Sequence, residues 1–500
     1  MTSRNRILAC ALCAAGHMWA PAGDAEHAAA GTMQWNLEIS EQGLWAPMNH
    51  AAGTLYFGSD DGGFYALDVA TRQIEWRFAT GDIVRSGSAL LESDGIAFAS
   101  DDGFLYALER DSGAERWRFD LEYADFSRRL PAGDAPYLYD YLHSSPVLDD
   151  GTLYIGSASG NLHAIDAGTG KETWRFAAGE SIRSTPLIAE GFVYFGSWNG
   201  RVYALDATTG EQVWSYNTGG IIQSSPAIGD GKIFISSRST HVYALDALTG
   251  EVQWKHRNTD GSWVESSAVF DDGMIYVGSS DSQRLWAYHA DTGDVAWGYD
   301  TRGWSWAKPV VTDSTVYIGS IGAPAHGTTL PGFYVVDRRT GEERWRFVPG
   351  TGEGWIDGGV HSPPVITGGT IYVAGLDGAV YTFGDGTTVT AVEQGKQETG
   401  KTPGQSALQQ AVPNPFNPYT VISYQLAEAR QVELSVYDIT GRRIASLANG
   451  YHQAGTHQVA WDGTDATGTA VGSGSYLYAL HGRQWVKTGK IWKTGNRKDT

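Results

Sequence analysis

The sequence predicts an all-β protein: an eight-bladed β-propeller closed by an N-terminal strand, followed by a small C-terminal β-sandwich. Three observations predict it. One pattern is written eight times between residues 33 and 385. Its Trp mark recurs at Trp76, Trp117, Trp174, Trp214, Trp254, Trp297 and Trp345, mostly 40 to 43 residues apart, with two stretched gaps of 57 and 48. The last copy lacks its Trp, while an in-phase Trp35 stands 41 residues before Trp76. A period near 40 residues, built from short alternating segments, marks a propeller or a related array.

Each copy reads as four strands. The first carries Ser-Ser-Pro, as in Ser224-Ser225-Pro226. The second carries an aromatic residue and then Gly-Ser, as in Tyr276-Val277-Gly278-Ser279. The third is Tyr243-Ala244-Leu245-Asp246 and its equivalents, and the fourth holds the Trp. Gly-rich turns bound these short alternating runs. The Asp-x-x-Thr-Gly segment before the fourth strand is a turn: the Asp side chain accepts from local N–H groups and the Gly supplies the left-handed position. The Trp that follows is a large apolar plate able to fill the space between neighbouring blades.

The second-strand aromatics Tyr56, Phe98, Tyr154, Tyr194, Phe234, Tyr276, Tyr317 and Tyr372 count eight copies. The eighth ends at Tyr381-Thr382-Phe383-Gly384 without a fourth strand, and Met33-Gln34-Trp35-Asn36-Leu37 supplies the missing one. Closing the ring this way removes exposed sheet edges.

The motif Ala-x-Asp-x-x-Thr-Gly-x-x-x-Trp, as in Ala204 to Trp214, resembles the tryptophan-docking motif of the pyrroloquinoline quinone (PQQ) repeat family. That family includes eight-bladed quinoprotein dehydrogenases and non-enzymatic propellers similar to the outer-membrane assembly lipoprotein BamB. The resemblance covers about residues 33–385. It is specific for the fold and weak for activity, because the motif is scaffold chemistry.

Five hundred residues allow two or three domains. The formal net charge of −20 argues against nucleic-acid binding, which needs clustered Lys and Arg. Residues 1–22 read as an export signal: Arg4 and Arg6, an apolar stretch over 7–20, then Ala20-Pro21-Ala22 as a cleavage site. No second long apolar run follows, so no transmembrane helix is expected. The two cysteines, Cys10 and Cys13, both lie in this segment, and the mature chain is expected to carry no disulfide. Ile7-Leu8-Ala9-Cys10 resembles a lipoprotein box, but only three apolar residues precede the cut, too few for a signal core.

Residues 386–410 read as a linker rich in Thr, Gly, Gln and Lys. Six β-like runs follow within 411–495, at 421–426, 431–438, 442–448, 456–461, 475–480 and 485–492, a pattern that predicts a small sandwich. Asn414-Pro415-Phe416-Asn417-Pro418, Val436-Tyr437-Asp438-Ile439-Thr440-Gly441-Arg442, Val459-Ala460-Trp461-Asp462-Gly463 and Gly474-Ser475-Tyr476-Leu477-Tyr478 resemble two related families. One is the type A C-terminal sorting domain of type IX secretion; the other is the immunoglobulin-like domain of the flagellar hook-capping protein FlgD. The resemblance implies export to the cell surface or outer membrane, with the periplasm as alternative, and secretion machinery as a partner of this module. A plain accessory sandwich is the alternative reading.

Candidate site residues come from turning the repeat against itself. The residue just before Ser-Ser-Pro varies while its neighbours hold: Trp45, Arg85, His143, Arg183, Gln223, Glu265, Trp306 and His361. In the resembled family the first strand is innermost, so these eight are expected to ring the mouth of the central channel. Departures from a repeat's own rule concentrate at functional sites; the bland alternative is that strand ends carry solvated polar residues. Three insertions, at 120–142, 321–332 and 349–359, fall in connections expected on the same face. They bring Tyr137, Tyr139, Tyr141, Trp355 and Asp357, and Trp304 lies beside the ring position Trp306. Aromatic loop surface on a rigid scaffold suits a flat ligand, a sugar or a peptide.

The resemblance also raises PQQ with Ca²⁺. Arg85 and Arg183 offer cations for the quinone carboxylates, Trp306 a platform and Glu265 a metal oxygen. Against it, the chain has no adjacent cysteine pair and no haem-binding Cys-x-x-Cys-His. No Ser nucleophile elbow, phosphate loop or spaced metal ligands occur, and no catalytic or metal residue is assigned. The expectation is an exported binding propeller that takes a protein, peptide or glycan and needs no cofactor. A PQQ-dependent alcohol or sugar dehydrogenase stands second, and a BamB-like assembly scaffold third.

Overall fold

The computed structural model describes residues 31–384 apart from 93, 123–139, 259–260, 324–326, 351–355 and 357, and residues 407–408, 411, 420–426, 430–438, 442–452, 455–461, 463–465, 469–482 and 485–493. The signal segment with Cys10 lies outside the described residues. The chain divides into two compact units, Met1–Thr390 and Ala391–Thr500. No helix among the described residues is long and apolar enough to cross a membrane.

The described residues of the first unit form eight four-stranded antiparallel sheets, numbered here in chain order: 49–79, 88–120, 147–177, 187–217, 227–257, 269–300, 310–347, and 365–384. The eighth takes its outer strand from Met33–Glu38, with Trp35 opposite Thr382 and Leu37 opposite Val380. Second and third strands are covered on both faces. They read as unbroken apolar runs, such as Phe192–Gly196 (FVYFG), and are buried almost throughout. Fourth strands alternate with period two, as in Val252–Arg257, because one face looks out to water.

Each sheet docks on the next through its Trp. The indoles of Trp76, Trp174, Trp214 and Trp297 donate from Nε1 to the carbonyls of Arg110, Ala207, Ala247 and Arg338 in the following sheet, at 2.9–3.1 Å. The indole face lies on the turn glycine of that sheet. A Cβ built at Gly250 would stand 2.6 Å from Trp214, so the close approach requires glycine, as does its φ of 73°. The turn is held as its sequence implies: Asp206 Oδ1 accepts from the N–H groups of Thr208 and Thr209, and these bonds hold its carboxyl below the usual range. The last junctions close the circuit. Trp345 of sheet 7 lies against Gly31, and Trp35 in sheet 8 packs under Arg72 of sheet 1, 5.6 Å from the guanidinium carbon to the ring centre. Arg72 stands where the other turns place glycine and keeps the left-handed backbone, φ 59°.

The second unit holds a three-stranded sheet (Ala407–Leu408, Thr420–Leu426, Gly455–Trp461) and a four-stranded sheet (Arg443–His452, Arg430–Asp438, Gly474–Gly482, Trp485–Lys493). Ile422, Tyr424, Leu434, Val436, Trp461 and Tyr478 form their shared core. Trp461 satisfies its indole N–H on the Thr464 carbonyl at 2.9 Å.

The docking geometry predicts a graded response to glycine replacement. Gly219→Ala meets nothing within 4 Å and carries only the positive-φ strain, about 1 kcal/mol. Gly250→Ala adds a clash with the Trp214 indole and is expected to cost clearly more in a denaturant melt. Equal losses would show that the indole contact does not set the spacing.

Candidate functional site

The ring positions sit where the innermost strands begin. Trp45, Arg85, His143, Arg183, Gln223, Trp306 and His361 all border one cavity of about 460 Å³ at the propeller's centre. Glu265 joins them through Gln223, whose amide donates to its Oε2 at 2.7 Å. Of these, Trp45, His143, Arg183, Gln223, Glu265 and Trp306 are all buried. They form the wall of the cavity as buried side chains and do not act as solvated strand ends.

Buried charges require partners, and a second variable ring supplies them. These partners directly follow the second strand: Asp60, Asp101, Arg238 and Ser280 in sheets 1, 2, 5 and 6. Each reaches the ring residue of the next sheet. Arg85 binds Asp60 in a two-pronged pair, Nε–Oδ1 2.8 Å and Nη2–Oδ2 2.5 Å. His143 Nε2 lies 3.5 Å from Asp101 Oδ1. Arg238 Nε donates to Glu265 Oε1, and the Trp306 indole donates to Ser280 Oγ at 2.7 Å. Sheet 3 has Ala158 at this position, and the first insertion compensates. Asp140 takes Arg183 through two 2.8 Å bonds, with both side chains almost fully enclosed.

Aromatic rings pack against this wall. Tyr141 stacks on Trp45 at 5.5 Å, and Trp304 on Trp306 at 4.9 Å. The Arg85 guanidinium carbon lies 4.4 Å over the Trp45 ring. All three insertions feed this cap. The first contributes Tyr141, the second Ile321 and Ala323, and the third Ile356, all packed in one cluster with Trp45 and Trp306. Ile321 bridges both Trp304 and Gly359. Tyr137, Tyr139, Trp355 and Asp357 lie outside the described residues.

The site's electrostatics follow from enclosure. Burial, aided by the nearby Arg85 charge, pushes the His361 imidazole down to about 4. Its Nδ1 faces the Trp45 carbonyl at 3.2 Å, and its buried Nε2 has no hydrogen-bond partner. Burial pushes the Glu265 carboxyl up, against the pull of Arg238.

The ring does not fit a quinone held with calcium. Both guanidiniums that would clasp its carboxylates are engaged by Asp60 and Asp140, and the proposed metal oxygens of Glu265 are engaged by Arg238 and Gln223. Among the described residues, no group of three acidic, His or Cys side chains is placed to hold a metal.

Sequence reasoning missed the partner ring, although Asp60, Asp101 and Arg238 are visible departures at one repeat position. It also missed Lys308, which projects into the cavity where neighbouring sheets place Ser225 and Ser267. His163 was another departure: it replaces the third-strand Tyr and links Glu172 at 2.7 Å to Ser157 at 3.2 Å. Ser157 and His163 are buried, so this trio is a bond within the scaffold, not an accessible nucleophile.

Residues 25–130, 101–256 and 199–346 match the family model described as Outer membrane protein assembly factor BamB. Residues 417–484 match the FlgD Ig-like domain. A comparison with curated protein sequences returned no match. Among solved structures, BamB from Moraxella catarrhalis is similar at 18% identity and a TM-score of 0.54, over 71% of this chain and 99% of that one. The quinohemoprotein alcohol dehydrogenase of Comamonas testosteroni is similar at 16% identity and 0.55, over 74% and 78%. A europium-containing methanol dehydrogenase is similar at 14% and 0.56, over 71% and 93%. At these identities the structural likeness is one of fold.

Two measurements check the closed ring. Removing one partner of the Arg183–Asp140 pair, as in Asp140→Leu or Arg183→Met, is expected to cost about 3–5 kcal/mol, because a buried charge loses its bidentate counter-charge. The double variant is expected to lose much less; additive losses in the thermodynamic cycle would contradict the pairing. The second is pH dependence. A folded His361 titrating near 4 refuses a proton that an unfolded histidine takes up near 6.5. Its share of stability is therefore complete above about 6.5, falls as the pH drops towards 4, and is level below. His361→Gln is expected to flatten that slope, by up to about 3 kcal/mol across the window; an unchanged slope would show that His361 is not held neutral.

Proposed function

The chain belongs to the family of the outer membrane protein assembly factor BamB, and from that premise we propose that it is an exported propeller which holds a protein partner at its loop-built face. The observation that carries this is the convergence of all three insertions on one ordered cap. Tyr141, Ile321 and Ile356 pack with Trp45 and Trp306, while the ring charges Arg85, Arg183 and Glu265 are paired with Asp60, Asp140 and Arg238. A rigid scaffold presenting extra loops over a neutralised cap is suited to recognition. A peptide or a glycan is the other occupant such an aromatic surface suits. The C-terminal module, as a type IX-type sorting domain or a FlgD-like accessory, carries or tethers the propeller at the cell surface or outer membrane.

The experiment replaces residues 123–137 by a short Gly-Ser linker, keeping Asp140 and Tyr141. The expected result is an unchanged melting temperature with loss of the partner in crosslinking from envelope fractions. Undiminished crosslinking would place recognition elsewhere. In the same strain, removing residues 411–500 is expected to leave the propeller in the periplasm, and normal surface delivery of the truncated chain would refute the sorting role.

A further inference from the structure

Two residues beyond the ring, each innermost strand points a second side chain into the lumen. Around the sheets these are Pro47, Gly87, Ser145, Thr185, Ser225, Ser267, Lys308 and Pro363, all bordering the cavity. Five of them form a collar. The amide of Gly87 donates to Ser145 Oγ, that of Ser145 to Thr185 Oγ1, that of Thr185 to Ser225 Oγ, and that of Ser225 to Ser267 Oγ, at 2.9–3.0 Å. A hydroxyl that accepts an amide proton keeps its own proton to give. None of these four hydroxyls has a recorded acceptor among the described residues, so four O–H donors face the lumen.

The chain of hydroxyls stops at Lys308, the next position round the ring. Its ammonium has no ion pair and no hydrogen bond among the described residues, and it stays accessible within the lumen. Among the described residues no Asp or Glu borders the cavity, although the chain as a whole carries a net charge of −20. The other two full cations on the wall, Arg85 and Arg183, are neutralised by Asp60 and Asp140. His143 faces Asp101, and His361 is neutral at ordinary pH. Two further polar atoms of the wall, Ser88 Oγ and His361 Nε2, are buried without partners. Enclosure lowers the Lys308 ammonium below the ordinary lysine range, as expected for a cation without a counter-charge.

We propose that this lumen is a binding site for a small organic carboxylate, its charged end on Lys308 and the hydroxyl collar, its apolar body against Pro47, Met48, Val147 and Leu187. One cation fixes one carboxylate, and the collar hydroxyls donate to its oxygens. A cavity of about 460 Å³ admits a compact molecule rather than a folded partner. The site lies deeper than the cap and does not depend on the partner reading above: either can fail alone.

The test is calorimetric titration of the intact protein with benzoate and with its neutral isostere benzamide, beside the variants Lys308→Met and Lys308→Gln. Benzoate is expected to bind the native chain and to raise its melting temperature, with benzamide at least about ten-fold weaker. Both variants are expected to fold, to melt no lower than the native chain without ligand, and to lose the benzoate shift by a similar factor. Equal binding of benzoate and benzamide overturns the proposal. So does benzoate binding that survives in Lys308→Met, or a native chain that takes up no benzoate at millimolar concentration. If one variant fails to fold, the other carries the comparison.

Discussion

Everything in the first unit hangs on the contact of one indole face with the glycine turn of the next sheet. That contact leaves no room for a Cβ: at Gly210, one would stand 2.5 Å from Trp174. Sheet spacing is thereby set by the thickness of an aromatic ring, and a single hydrogen bond from Nε1 sets the height of one sheet on its neighbour. Repeated through the Trp35–Arg72 junction, this constraint fixes the width of the lumen. The residues that begin the innermost strands then have no choice but to meet.

Meeting in a narrow space, they must be neutral as a group, because an unpaired buried charge is costly. The chain meets much of that demand from the residue after the preceding sheet's second strand, 25 to 27 residues upstream for Arg85 with Asp60, Glu265 with Arg238 and Trp306 with Ser280, and 42 upstream for His143 with Asp101. Where Ala158 breaks the rule, an insertion has grown in whose end places Asp140 on Arg183. The same insertion puts Tyr141 on Trp45. Neutralising the channel and building the cap are thus one event in the chain. Lys308 is the exception that the scheme leaves uncompensated, and so it is the residue from which a ligand can be argued.

The sequence made the scaffold legible because each strand recurs with its turn chemistry intact. Thr-Gly after Asp, Gly-Ser after an aromatic and Trp in phase gave strand order and the closing role of the N-terminal strand; the register, with Trp35 opposite Thr382, is visible only in the structure. The C-terminal strands were legible for the same reason, from alternation between turns: the run at 431–438 falls within Arg430–Asp438. The ring residues were legible as departures from the repeat. Their environment was not. Whether Arg183 looks into water or into Asp140 depends on a loop that crosses from another sheet, and no local pattern encodes that crossing. Lys308 was hidden for a different reason: its position varies among Ser, Thr, Gly and Pro, so a further change carried no alarm until the described lumen wall was seen to carry no carboxylate.

The central claim is that docking closes one cooperative ring through the N-terminal strand. Native-state hydrogen exchange tests it most directly. The amides of Met33–Glu38 and the collar amides of Gly87, Ser145, Thr185 and Ser225 are expected to exchange slowly, with one shared opening free energy equal to that of global unfolding. Rapid exchange across Met33–Glu38 with the collar still protected would contradict the account, because the ring would then hold without its closing strand.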